Sequence, residues 1–156
     1  MTVFGLPDKY FLVSGFAEGE SLLNAFDNAL LSAGIGNSNL VRMSSILPPA
    51  STHVTLIQIP AGSLVPVAYA SEWSEEVGLE IAAAVACGIP EDSSLPGVIM
   101  EHHTFSSEDH CRDVCVSKVE AAFRHRKWKL SEIKTASVSH VVVHTGAVFA
   151  GVVLWK

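Results

Sequence analysis

The sequence is short of charge, short of cysteine and free of long apolar runs, and each shortage removes a class of protein. Only 17% of its 156 residues are charged, ten basic against sixteen acidic, for a net charge of -6. No phosphate-neutralising surface can be built from so few scattered cations, so nucleic acid is not an expected partner. Three cysteines, an odd number, do not make a disulfide framework in a chain this long and fit free thiols in a reducing compartment. No apolar run reaches the length needed to cross a bilayer, and the N-terminal residues lack the basic-then-apolar layout of a secretory leader. A cytoplasmic protein with no membrane partner is the expectation. Apolar residues make up 49% of the chain. That excess over charge predicts that partner subunits cover part of the surface.

The length suits one domain. Tyr10 to Phe16 reads as a strand, broken by Gly15, Glu18 and Gly19 before a helix over Ser21 to Ala33, where Leu22, Leu23, Phe26, Ala29, Leu30 and Ala33 recur at helical spacing and Gly34 is the stop. Asn39 to Ser45 is a second strand, ended by Pro48 and Pro49. Pro49 to Gly62 is a loop or edge segment. Leu64 to Ser71, Leu79 to Cys87 and Gly97 to Phe105 are further strands, with Pro66 confining the start of the first to an edge. Ser107 to Lys127 is the second helix, with Cys111, Cys115, Val119, Ala122 and Phe123 as its apolar stripe. Ile133 to His144 and Ala147 to Trp155 are separated by Thr145-Gly146 and are expected to pair as a hairpin, the second strand being apolar enough for a central place. The order predicts an α+β fold in which sheets bury against each other and helices cover the outside.

Three chemistries fit poorly. Gly34-Ile35-Gly36-Asn37-Ser38-Asn39 begins like a dinucleotide fingerprint, but asparagine stands in place of the third glycine and no helix follows to receive a pyrophosphate. His102, His103, His110, Cys111 and Cys115 are close in sequence, yet cysteines on an apolar helical stripe are ordinarily core residues, so no metal is expected. A hydrolase triad of Ser44 or Ser45 with His53 and Asp27 lacks the nucleophile-elbow pattern.

A fourth chemistry uses the serine pair on the chain itself. A serine hydroxyl can attack the carbonyl of the residue before it when a tight turn aligns them, turning amide into ester. Elimination then releases the upstream fragment, and hydrolysis of what remains leaves a pyruvoyl group, an electrophile no ordinary side chain supplies. The strand end at Ser44-Ser45 followed by Pro48-Pro49 is a place for such a turn. A capped turn is the plainer reading of the same residues.

The run Gly36-Asn37-Ser38-Asn39-Leu40-Val41-Arg42-Met43-Ser44-Ser45-Ile46-Leu47-Pro48-Pro49 closely resembles the processing site of pyruvoyl-dependent arginine decarboxylases. The similarity extends through Ala70-Ser71, Gly78, Ile81-Ala82-Ala83, Gly97-Val98-Ile99-Met100-Glu101 and the glycine-punctuated C-terminal strand. It differs from the family pattern at Ser38, Arg42 and Met43, where strand geometry is expected to matter more than side-chain identity.

The resemblance implies a single-domain, four-layer αββα sandwich that cuts itself between Ser44 and Ser45. Residues 1–44 become a β subunit, and 45–156 an α subunit whose covalently bound pyruvoyl group derives from Ser45. It further implies that L-arginine is converted to agmatine and carbon dioxide through a Schiff base, for polyamine synthesis or acid resistance. By the same resemblance Asn39 assists the cut, Glu101 protonates the substrate, Asp27 faces its guanidinium, and αβ protomers form a homotrimer or a dimer of trimers. Related pyruvoyl enzymes use histidine. A further alternative is an unprocessed trimer that binds arginine or polyamines.

Overall fold

The computed structural model describes residues 5–55 and 57–156. Among these residues nine strands and two helices follow in the order β1 (Lys9–Glu18), α1 (Leu22–Ser32), β2 (Asn39–Arg42), β3 (Ile46–Leu47), β4 (Thr52–His53), β5 (Leu64–Ser74), β6 (Glu80–Pro90), β7 (Gly97–Thr104), α2 (Glu108–Arg126), β8 (Leu130–Val141) and β9 (Gly146–Trp155). They form one α+β domain with two sheets, one ordered β2-β5-β9-β1-β4 and the other β3-β7-β6-β8.

Alternation along the strands explains why the sheets stack. On β6, Ile81, Ala83, Val85 and Cys87 point toward the other sheet, where they meet Val148, Ala150 and Val152 of β9. Their neighbours Ala82, Ala84 and Ala86 point the other way, onto Cys111, Cys115 and Val119 of α2. The opposite face of β9, through Ala147, Phe149 and Val153, packs with Ala25, Ala29 and Leu30 of α1. β6 and β9 are therefore buried on both faces, which is why they read as unbroken apolar runs. β9 has the predicted central place.

Both helices begin and end where their caps dictate. Ser21 Oγ accepts from Asn24 N at 3.2 Å, and Ser107 Oγ accepts from His110 N at 3.3 Å. Gly34 follows α1 with φ of 84°, in the left-handed region where glycine has no steric penalty. Gly15 does not break β1. It lies where the α1 backbone crosses the sheet, so closely that a Cβ would sit 2.5 Å from Ala29 O.

The expected hairpin does not form. β8 pairs with β6, whereas β9 pairs with β1 and β5. The chain crosses from one sheet to the other over residues 142–145. Glu18, at the end of β1, organises this crossing: its carboxylate accepts from Val143 N at 2.8 Å, His144 N at 3.1 Å, Thr145 N at 2.7 Å and the His140 ring at 2.6 Å. Thr145-Gly146 has turn composition, but a carboxylate remote in sequence decides its geometry.

Burial alone would raise the Glu18 pKa; the Val143 N–H, the His140 ring and the other two N–H donors outweigh it and hold the group at about 2. A depressed folded-state pKa gives stability that is fully present above the ordinary carboxylate value of about 4.3 and is lost as pH falls toward the folded one. Glu18→Gln is expected to lower the melting temperature at pH 7, with the gap to wild type closing as pH falls from about 4.3 to 2. A gap that stays constant in melts across that range contradicts this role.

Candidate active site

The second strand stops earlier than its sequence implies, at Arg42, and the serine pair occupies the passage between sheets. β2 lies parallel to β5, with Arg42 opposite Val67, and Met43 N donates to Val67 O at 3.1 Å. On the other side, Ile99 N donates to Ser45 O at 2.7 Å. β3 then continues antiparallel to β7, with Ile46 opposite Val98. The Ser44–Ser45 peptide is thus strung between a last anchor on one sheet and a first anchor on the other.

Ser44 is exposed and Ser45 half-buried. Among the described residues neither hydroxyl has a hydrogen-bond partner, and neither serine has a positive φ; the bend that follows the prolines places positive φ at Ala50, 58°. Ser51 Oγ and N both reach back to Pro48 O, at 2.7 and 3.3 Å, so the prolines do lead into a closed turn.

Glu101 is carried by the same strand that anchors Ser45. It lies two residues along β7 from Ile99, on the same face of the strand, and its side chain is 31% exposed. Its Oε1 accepts from Arg42 Nη2 at 3.1 Å. Arg42 Nη2 also donates to Tyr69 O at 3.0 Å, and the guanidinium carbon stands 4.5 Å from the centre of the Tyr69 ring. From the α2 side, Lys118 Nζ donates to Glu101 O at 3.0 Å.

The other candidates lie apart. Asn39 is at the far end of β2, about 10 Å along the strand from Arg42 at roughly 3.3 Å per residue, and its Nδ2 donates to Gly62 O at 3.0 Å. Asp27 is exposed on α1. It sits between Leu23 and Leu31, which are 72% and 49% exposed. These three residues follow one another at four-residue spacing, so they share a face turned away from the core. Leu30, three residues on, is buried.

No triad is assembled. His53, on β4, is at the opposite edge of its sheet from β2. The four intervening strand spacings amount to about 19 Å. The His/Cys run is also dispersed: His103 pairs with Glu72 at 2.6 Å, Cys111 Sγ donates to His102 O at 3.2 Å, and Cys115 Sγ to Ala84 O at 3.2 Å. Burial pushes the Cys111 thiol up to about 11 and the Cys115 thiol up to about 12, away from the thiolate a metal would need. Among the described residues no group of three or more His, Cys, Asp or Glu converges as a metal site.

A serine dipeptide is thus suspended between two sheets, and the strand that anchors it carries a partly buried carboxyl group. The family model described as pyruvoyl-dependent arginine decarboxylase matches residues 9–154. This chain belongs to that family. It is 44% identical over 152 residues to the pyruvoyl-dependent arginine decarboxylase of Methanocaldococcus jannaschii, covering 97% of this chain and 92% of that protein. The enzyme of the same name from Methanococcus maripaludis strain C7 is 40% identical, with 97% and 93% covered. That of Thermococcus kodakarensis is 38% identical, with 95% and 94% covered.

A pyruvoyl-dependent decarboxylase carries its ketone at a chain terminus made from a serine. Its residues must therefore hold that serine in place when the preceding peptide is gone. Ser45 is anchored independently of Ser44, by Ile99 N to its carbonyl and by the β3–β7 ladder that begins at the next residue. Sequence reasoning missed Arg42. It was set among residues whose identity matters less than strand geometry, yet it is the side chain that joins β2 to Glu101. No spacing rule could have found this contact, since the partners are 59 residues apart and meet only when the sheets stack.

Proposed function

We propose that this chain cuts itself between Ser44 and Ser45 and converts L-arginine to agmatine and carbon dioxide. Family membership supplies the reaction. The observation that carries the assignment of residues is the Ser44–Ser45 peptide anchored on both sides, with a free hydroxyl at Ser45 and Glu101 on the adjoining strand. In this reading Ser45 Oγ attacks the Ser44 carbonyl carbon as the C–N bond between them breaks. Elimination then leaves a carboxylate on Ser44, and water replaces the Ser45 nitrogen with oxygen as ammonia departs. The resulting pyruvoyl group supplies a carbonyl that binds the substrate amine covalently and takes up the electron pair released with carbon dioxide. Glu101 delivers a proton to the substrate α-carbon, the half-buried position limiting competition from water.

The fold assigned to this activity is a four-layer αββα sandwich of fragments 1–44 and 45–156. Supporting it are the three apolar clusters, one between the sheets and one under each helix. The assembly assigned is a homotrimer of αβ protomers or a dimer of trimers, with sites between neighbours. Two observations favour a shared site. Clefts of about 340 and 510 Å³ on the single chain are lined without Ser44, Ser45 or Glu101, and Asp27 stands on an outward face with two exposed leucines. Asp27 then receives the substrate guanidinium by two parallel charge-assisted hydrogen bonds. Asn39 is bound to Gly62 in its own chain and remote from its own serine pair, so its help in the cut is assigned across the subunit boundary, as an amide donor to the oxyanion.

Substrate choice tests the guanidinium assignment. Amine release from arginine, lysine, ornithine and histidine should favour arginine, and Asp27→Asn should reduce that preference about 10-fold or more, the value of a hydrogen bond to a charged group. Unchanged preference in the variant removes Asp27 from substrate recognition.

A further inference from the structure

We propose that Arg42 is a positioning residue for the decarboxylation step, holding the Glu101 carboxyl group at the site and linking the two fragments after the cut. The proposal rests on the reading of Glu101 as proton donor and adds the group that orients it.

Three restraints define the Arg42 guanidinium. Its main chain is fixed in the β2–β5 ladder opposite Val67. Its Nη2 donates to Tyr69 O at 3.0 Å, and its plane is held over the Tyr69 ring at 4.5 Å. Only then does the same nitrogen meet Glu101 Oε1 at 3.1 Å. A carboxyl group on a partly exposed strand position has free side-chain torsions, and this contact selects among them.

Stability does not account for the arrangement. The pair is 58% exposed on the arginine and 31% on the glutamate, and ion pairs with that much solvent contribute little to folding. Placement is a different matter, because displacing a reacting group by about 1 Å can cost about 100-fold in rate. Lysine would supply a charge here but not the flat guanidinium that lies over the Tyr69 ring.

The position in the chain adds a second consequence. Arg42 is two residues before Ser44, so the cut leaves it in fragment 1–44 while Glu101 belongs to fragment 45–156. The hydrogen bond from Arg42 to Glu101 then crosses between separate chains, and the short fragment completes the site of the long one.

The test compares Arg42→Ala, Arg42→Lys, Glu101→Gln and the double variant Arg42→Ala/Glu101→Gln, each checked by intact mass for the cut. Arg42→Ala is expected to be cut, to melt close to wild type, and to lose about 10- to 100-fold in kcat with KM within about threefold. Arg42→Lys should fall between Arg42→Ala and wild type. The double variant should be no slower than Glu101→Gln alone, since Arg42 acts through Glu101.

A readout independent of turnover uses the uncut Ser45→Ala chain with carbon-13 in its glutamate carboxyl groups. The Glu101 resonance, assigned by its loss in Glu101→Gln, should move when Arg42→Ala is added. Wild-type kcat in Arg42→Ala, additive losses in the double variant, an uncut Arg42→Ala chain or an unmoved resonance each overturns the proposal. Full turnover by Glu101→Gln instead removes the proton-donor reading beneath it.

Discussion

Ser45→Ala is expected to give one uncut chain with no decarboxylase activity above background. The hydroxyl is the group that attacks the Ser44 carbonyl, and alanine can neither open that peptide nor become a pyruvoyl group. Loss of the fold is not a competing explanation. Ser45 is held through its main chain, by Ile99 N to Ser45 O at 2.7 Å, and its hydroxyl has no hydrogen-bond partner among the described residues. The variant should therefore melt like uncut wild-type chain, if processing of the latter is followed from synthesis. Ser44→Ala provides the contrast: its hydroxyl is exposed and has no part in the acyl shift, so that chain should still be cut. Cleavage of Ser45→Ala, read by mass, would place the nucleophile elsewhere.

Glu101→Gln should separate the two reactions. Cutting uses the Ser45 hydroxyl, the anchored peptide and Asn39 but not Glu101, so it should go nearly to completion. Carbon dioxide release should fall by roughly 10²- to 10⁴-fold, the usual contribution of a placed general acid. Glutamine keeps the size of the side chain and accepts from Arg42 through its amide oxygen, so the change is confined to the proton. Equal turnover in the variant and wild type would remove Glu101 from the mechanism.

These two expectations depend on positions legible in the sequence to different degrees. The helices were readable because period and caps agree: Ser21 and Gly34 bracket one, and Ser107 with Glu108 and Asp109 opens the other. The thiols were readable as core residues for the same reason. The alanine-rich run Leu79 to Cys87 was readable as a strand, and β6 continues past it through Gly88 to Pro90. Failures came where pairing depends on groups remote in sequence. Thr145-Gly146 looked like a hairpin turn, but Glu18 draws the chain into the other sheet through three backbone N–H groups.

The site divides in the same way. Ser44, Ser45 and Glu101 were named from local pattern and resemblance, and the fold brings them to one edge of the sandwich. Asn39 and Asp27 were named with them and stand apart in the single chain. A sequence pattern does not say which protomer completes a site. Arg42 was passed over as one of three departures from the family pattern, where strand geometry was expected to matter more than side-chain identity. Its partner and its stacking ring come from β7 and β5, and nothing near it in the sequence announces either.

The central claim is that the peptide between Ser44 and Ser45 breaks and leaves a ketone. Intact mass of the purified protein tests it most directly. Two fragments are expected, residues 1–44 ending in a free carboxylate and residues 45–156 lighter by the equivalent of one ammonia than a fragment beginning with serine. A single mass for the uncut chain, with Ser45 still present, would contradict the account.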